Sequence, residues 1–141
     1  MEKKVYVISG VTGMTGNELA RQLIKEGNYV LGFDNFFASS LDTIIDLLEK
    51  DSFKFFQYDL NNEYQMNLVE QRVKEYAENG FDIFYINCAA VVHTEHFYKV
   101  ENTFTTNVVG MKNFLEQAVR VKANAYINCS TSEVYSMQSW N

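Results

Sequence analysis

Gly10, Gly13 and Gly16 recur between an apolar run, Lys4-Val5-Tyr6-Val7-Ile8-Ser9, and a helical run, Asn17-Glu18-Leu19-Ala20-Arg21-Gln22-Leu23-Ile24. A helix that starts at such a turn presents backbone N–H groups without intrahelical partners, at the positive end of the helix dipole. Phosphate oxygens satisfy both, and residues lacking a Cβ let them approach. The chemistry expected here is the cradling of a dinucleotide pyrophosphate. The spacing is G-x-x-G-x-x-G rather than the commoner G-x-G-x-x-G, and the glycines alone also fit an ordinary glycine-rich turn.

Asp34 supplies a second, independent pointer. It closes the apolar run Tyr29-Val30-Leu31-Gly32-Phe33, eighteen residues after Gly16. A dinucleotide site places there a carboxylate that accepts from the adenosine ribose hydroxyls. Such a carboxylate repels a 2′-phosphate, and no cation follows the run to offset it, so NAD is favoured over NADP. The competing reading is a turn-forming Asp before Asn35.

These residues need strands that end beside one another. Strand-like runs lie near residues 4 to 9, 29 to 34, 53 to 58, 82 to 88 and 124 to 130. Helical patterns near 16 to 27, 41 to 50, 63 to 79 and 103 to 122 alternate with them, their apolar residues recurring at three and four. Leu41, Ile44, Ile45, Leu47 and Leu48 show this spacing, as do Val108, Met111, Phe114, Leu115 and Val119, and Ser39 or Ser40 could cap the first of these two helices. Alternation of this kind predicts an α/β fold, a doubly wound, Rossmann-type parallel sheet with helices on both faces. Gly27 and Gly80 fall where helices should stop, and Gly110 inside a helical pattern suits close packing against the sheet or a cofactor.

With 141 residues, 47% of them hydrophobic, the chain is expected to form a single globular unit that buries roughly two-thirds of its unfolded surface. Twelve basic against eighteen acidic residues, a net charge of −6 and no basic run argue against nucleic-acid binding. Apolar stretches are strand-length and interrupted by charge, which argues against a membrane span. Met1-Glu2-Lys3-Lys4 leads directly into a strand without a signal-peptide core, so a cytoplasmic location is expected. Cys88 and Cys129 each close an apolar run and read as small buried residues at strand ends, not as a disulfide framework. Together with His93 and His96 they lack metal-ligand spacing, and no metal is expected.

The ordered set of Gly10 to Gly16, Asp34-Asn35, Tyr58-Asp59-Leu60, Asn87-Cys88-Ala89-Ala90, Asn107-Val108-Val109-Gly110 and Ser130-Thr131-Ser132-Glu133-Val134-Tyr135 resembles the extended short-chain dehydrogenase/reductases. These are the NAD-dependent epimerases, dehydratases and decarboxylases of nucleotide sugars, and the resemblance covers essentially the whole chain. It implies that Met14 and Thr15 line the pyrophosphate turn, although the family more often has an aromatic and an aliphatic residue there. Asp34, Asn35, Ala38 and Ser39 would surround the adenosine ribose and its phosphate. Asp59 and Leu60 would border the adenine, while Cys88, Ala89, Ala90 and Val91 pass beneath the cofactor. Asn107 would stand near the nicotinamide ribose, and Cys129 closes the fifth strand at the same edge.

The catalytic part of the pattern is half present. By resemblance Thr131 hydrogen-bonds the sugar hydroxyl being oxidised at C4, and Glu133 matches the acid that dehydratases of this family use for proton transfer. Ser132 replaces the aspartate that some of them carry beside it, and Ser136 stands where glycine is frequent. The family's Tyr-x-x-x-Lys base is expected about two dozen residues beyond Tyr135. Of Tyr76, Tyr98 and Tyr135, none has lysine four residues later. The chain therefore reads as the N-terminal NAD-binding part of a longer enzyme, truncated before the last strands and the substrate domain and inactive alone, whose parent acts on a nucleotide sugar. Homodimers are expected by resemblance only. The other reading is a non-catalytic NAD-binding sensor or interaction module; Thr131 and Glu133 favour the enzyme, since a binder has no need of them, although both also fit a polar strand-to-loop transition.

Asp34 yields a direct test. NAD is expected to bind more tightly than NADP by calorimetry, and equal or reversed affinities would remove the ribose role from Asp34.

Overall fold

The computed structural model describes residues 2–36, 40–89 and 109–129. Five strands form one all-parallel sheet: β1 (Lys4–Ser9), β2 (Tyr29–Phe33), β3 (Phe53–Phe56), β4 (Asp82–Asn87) and β5 (Ala125–Asn128), in the order β3-β2-β1-β4-β5. Among the described residues three α-helices, α1 (Met14–Lys25), α2 (Glu63–Glu78) and α3 (Met111–Arg120), cover its faces. This is the doubly wound, Rossmann-like arrangement expected from the alternation of patterns. The order reverses beside β1, whose neighbours are β2 and β4, and that reversal is where open α/β sheets hold ligands.

Alternation along each strand feeds two cores. Val5 and Val7 of β1, Ile83 and Tyr85 of β4, and Leu31 and Phe33 of β2 face α2 and α3, where Met66, Val69, Val73, Phe114 and Ala118 meet them. Ile8, Val30, Phe53 and Ile86 point the other way and pack on Val11 and Ala20, with Leu19, Leu23 and Ile24 half-buried around them. Burial on both faces explains why the strands read as almost continuous apolar runs.

One buried polar chain joins α2, β4 and α3. Tyr85 Oη donates to Gln117 Oε1 at 2.7 Å, and Gln117 Nε2 donates to the Met66 carbonyl at 3.0 Å. Gln117 is 1% exposed, so an apolar replacement would leave the buried Tyr85 hydroxyl without its acceptor at a cost of about 1–3 kcal/mol. At its N-terminus α2 is capped by Asn62, whose side chain accepts from the Gln65 N–H, and Gln65 Oε1 reaches back to the Asp59 N–H. α2 and α1 stop at Gly80 and Gly27, both at positive φ, as their places in the sequence suggested.

Segment 41–50 departs from expectation. A short 3-10 helix (Leu41–Ile44) and turns replace the expected α-helix, and Ser40 caps it without a side-chain bond. Within the segment only Ile44 and Leu47 are buried, while Leu41, Ile45 and Leu48 are exposed. Burial at a spacing of three suits 3-10 geometry better than a broad α-helical stripe. β3 is also shorter than the run 53 to 58. The expected helix 103 to 122 is described from residue 109 onward, with α3 starting at Met111, and residues 103 to 108 lie outside the described residues. Among the described residues no helix is long and apolar enough to cross a membrane.

The Glu70 carboxylate, 8% exposed, ties α2 to α3 by accepting two bonds from Arg120, at 3.0 and 2.8 Å, and pairs with Lys74 at 3.3 Å. Burial by itself raises its pKa, but the bonds from Arg120 and Lys74 outweigh this and hold it below the ordinary value of 4.5. A depressed carboxyl contributes stability that is present above 4.5 and lost as the pH falls through the folded value. Urea unfolding at about pH 7 and about pH 3.5 should show this loss in the native chain and a shallower pH dependence in Glu70→Gln, which is also less stable at neutral pH.

Candidate functional site

The carboxyl ends of β1, β2 and β4 meet at the glycine turn. Gly10 follows β1 at φ +67°, and a Cβ added to it would stand 2.7 Å from the Ala89 nitrogen and the Cys88 carbonyl carbon. A Cβ at Gly16 would strike the Gly10 carbonyl. These two glycines are required by the chain itself, whose backbones pass too close for a side chain. Gly13 differs: its φ is −73°, and an added Cβ would make one ordinary contact, 3.4 Å from the Gly10 oxygen. Nothing in the fold demands glycine there.

Gly13 is also the N-cap of α1. It has no side chain to accept from the first helical N–H groups, and the first turn of α1 carries no acidic residue. Helix geometry aims those N–H groups, with the positive end of the dipole, outward past Gly13. Met14 lies beyond the cap with its side chain 87% exposed. A cradle that a Cβ at Gly13 would fill, at an uncapped helix end whose own first turn carries no acidic residue, fits a pyrophosphate.

Asp34 stands beside this turn. Its Oδ2 accepts from the Thr12 N–H at 3.1 Å and its Oδ1 from the Phe36 N–H at 2.8 Å. The second bond forms an Asx turn that supports Phe36 at φ +63°, a left-handed conformation unusual for a bulky residue. The two readings of Asp34 are compatible, since each carboxylate oxygen keeps a further lone pair for a ribose hydroxyl. Asn35 continues the same loop, while Ala38 and Ser39 lie outside the described residues.

Asp59 and Leu60 lie beyond β3. Asp59 Oδ1 accepts from the Asn61 N–H at 2.9 Å, and the backbone N–H of Asp59 donates to Gln65 Oε1 at 2.7 Å. The side chain of Leu60 is buried in the core, where it fills the space that a side chain on Gly110 would take, 2.9 Å from an added Cβ. The packing expected of Gly110 is therefore made against Leu60.

Cys88 and Ala89 continue from β4 directly against Gly10. Both cysteines are half-buried rather than buried as expected, and their Sγ atoms lie 3.2 Å apart. Burial and the bond to Cys129 push the Cys88 thiol up. Ala90, Val91, His93, His96, Asn107, Thr131 and Glu133 lie outside the described residues. Thus Gly10, Gly13, Met14, Thr15, Gly16, Asp34, Asn35, Cys88 and Ala89 share one edge of the sheet.

Sequence reasoning missed the polar groups that hold this edge. Ser9 Oγ donates to Asn87 Oδ1 at 2.5 Å, and Asn87 Nδ2 donates to Asn128 Oδ1 at 2.8 Å. Asn87 and Asn128 are cross-strand partners, so two asparagines closing consecutive apolar strands were the available signal. Thr43 Oγ1 donates to the Thr12 carbonyl at 2.6 Å, and Asn17 Nδ2 to the Gly13 carbonyl at 2.6 Å. A cavity of about 540 Å³ lined by Lys3, Lys54, Phe56, Arg72 and Tyr76 lies elsewhere, between β3 and α2. Ligands of open α/β sheets bind outside the carboxyl ends, so the glycine edge and not this hollow is the candidate site.

Known proteins share this pattern. The model of the NAD dependent epimerase/dehydratase family matches residues 6–139. The chain is 32% identical to UDP-glucuronic acid decarboxylase 1 of Arabidopsis thaliana over 92% of its own length and 26% of that protein's. It resembles the structure of the UDP-Glc/GlcNAc 4-epimerase of Campylobacter jejuni, with a TM-score of 0.71 at 27% identity, covering 92% of this chain and 37% of that one. The fold of the UDP-glucose-4-epimerase of Stenotrophomonas maltophila, solved with bound NAD and formylated UDP-arabinopyranose, matches with a TM-score of 0.77 at 20% identity over 95% and 38% of the two chains. The chain spans less than half the length of the curated relatives it matches, 26% to 41% among those most similar.

The glycines separate by substitution. Gly13→Val should keep the circular dichroism and melting of the native chain while losing dinucleotide affinity, whereas Gly10→Ala should destabilise the fold itself. Unchanged affinity in Gly13→Val would remove the phosphate from this turn.

Proposed function

The chain belongs to the NAD dependent epimerase/dehydratase family, and we propose that it is the NAD-holding part of a nucleotide-sugar epimerase or decarboxylase. The observation that carries this reading is Gly13, the glycine that the fold does not need and a pyrophosphate does. In this reading residues 1–141 are the cofactor domain, and the sugar-binding portion belongs to a longer protein.

The N–H groups of Met14, Thr15 and Gly16 hold the pyrophosphate, while the exposed Met14 side chain lines the turn. Asp34 accepts from the adenosine ribose and keeps its two backbone bonds, with Asn35, Ala38 and Ser39 around the same ribose and its phosphate. Asp59 accepts from the adenine amino group and Leu60 borders the ring. Cys88, Ala89, Ala90 and Val91 form the floor, with Cys129 beside them, and Asn107 stands near the nicotinamide ribose. NAD bound there would supply reversible hydride transfer at the sugar C4 carbon. Thr131 donates a hydrogen bond to that sugar oxygen, and Glu133 moves a proton in the step that follows oxidation. Both residues come within four positions of Cys129, which ends the described part of the β5 segment.

The relatives' names carry the choice of a nucleotide sugar, and the pairing of a decarboxylase with an epimerase among them supports a shared oxidation at C4. No tyrosine of the chain is followed four residues later by lysine, so the general base of that oxidation is not among these residues. The loss of such a base slows proton transfer by about 10²–10⁴-fold.

The expected outcome with the purified chain is NAD binding without turnover. NAD should titrate calorimetrically, and UDP-glucuronic acid incubated with the NAD-loaded chain should be recovered unchanged, with neither an epimer nor carbon dioxide formed, because the hydride returns within each turnover and leaves no net NADH to follow. Conversion of the sugar would show that a base lies elsewhere in the chain, and absence of NAD binding would overturn the cofactor assignment.

A further inference from the structure

Two thiols meet at the carboxyl edge of the sheet, on the face opposite the Ser9–Asn87–Asn128 chain. Asn87 and Asn128 are register partners, so Cys88 and Cys129 are the next pair along β4 and β5, and the Cys129 N–H donates to the Asn87 carbonyl at 3.0 Å. Neighbouring strands run about 4.8 Å apart, which lies within the Cα separation that a disulfide spans. Their side chains both pack on the α1 core, and their sulfurs are in contact at 3.2 Å. Neither cysteine is fully buried, so a small reagent reaches the pair.

The backbone of Cys88 has no slack. Its N–H donates to the Ser9 carbonyl at 3.1 Å, and its carbonyl carbon sits where a Cβ on Gly10 would be 2.7 Å away. Any movement that draws Cys88 toward Cys129 is transmitted to the first glycine of the phosphate turn.

We propose that Cys88 and Cys129 are a redox-active dithiol that closes into a disulfide with a small disulfide as oxidant, and that closure weakens dinucleotide binding. The second clause rests on the NAD reading above; the first does not. One cysteine thiolate attacks oxidised glutathione, forming a mixed disulfide and releasing one glutathione thiolate. The other cysteine thiolate attacks the protein sulfur of that mixed disulfide and releases the second. The two cysteine protons end on the two glutathione thiolates, so the protein dithiol is oxidised by two electrons and one glutathione disulfide is reduced. Burial and the contact with Cys129 hold the Cys88 thiol above its ordinary range, which slows its own attack.

The test treats the folded chain with oxidised glutathione and follows free thiols, intact mass and NAD affinity. Expected are loss of both thiols, a mass lower by two hydrogens, release of two glutathione molecules per chain, and NAD affinity reduced about tenfold and restored by dithiothreitol. Cys88→Ser and Cys129→Ser should each release one glutathione and retain the other as a mixed-disulfide adduct. Two persisting thiols, or arrest of the native chain at a mixed disulfide, overturns the proposal, and a disulfide that leaves NAD affinity unchanged overturns its second clause. If the reduced chain does not bind NAD, the cofactor reading fails while the thiol count still decides whether the pair closes.

Discussion

Backbone crowding where β1 ends governs the rest of this structure. Gly10 lies against the Cys88–Ala89 peptide, and Gly16 lies against the Gly10 carbonyl. β2 contributes to the same point, because Gly32 leaves room for Val11, whose methyl groups would lie 2.8 Å from an added Cβ. The start of α1 and the end of β4 are thereby fixed relative to the end of β1 by backbone alone, and the middle of β2 is fitted to them through the Val11 side chain. The contacts of Gly10 and Gly16 are between backbone groups that cannot change rotamer, so this edge tolerates less substitution than the apolar cores beneath it.

The two faces of the sheet treat their upper rims differently. On the α2 and α3 face, apolar columns give way at the rim to Ser9, Asn87 and Asn128, which satisfy one another and the Ala89 N–H. On the α1 face the next pair along the same two strands is Cys88 and Cys129. Amides held by directional bonds make one rim chemically inert and geometrically stiff. Thiols make the other soft and oxidisable. The rim that borders the phosphate turn thus combines a rigid side with a reactive one.

The fold was readable because its signals are local and repeated. Four helical patterns between five strand-like runs leave little choice but a parallel sheet, and all five strands appear within a few residues of their expected bounds. The misreading at 41–50 came from periodicity in the wrong place: an apolar spacing that suits a helix face was satisfied by a 3-10 turn held through Thr43 and Arg21. At the site, residue types and spacing identified the glycines and Asp34, but could not rank them. Gly10 and Gly16 serve packing and Gly13 does not, a distinction that depends on distances between segments 70 or more residues apart as well as on neighbours in the turn. The contact between Cys88 and Cys129 was hidden for the same reason, since pairing register is a property of the sheet.

The peptide of Thr12 is gripped from both sides. Its N–H donates to Asp34, its carbonyl accepts from Thr43, and the next carbonyl of the turn, that of Gly13, accepts from Asn17. Thr43 is anchored in turn by Arg21, which also pairs with Asp46. A phosphate arriving at this turn finds its donors already aimed, and little conformational freedom is left to surrender on binding. Affinity at such a site is set before the ligand arrives, by the ordering that folding has completed.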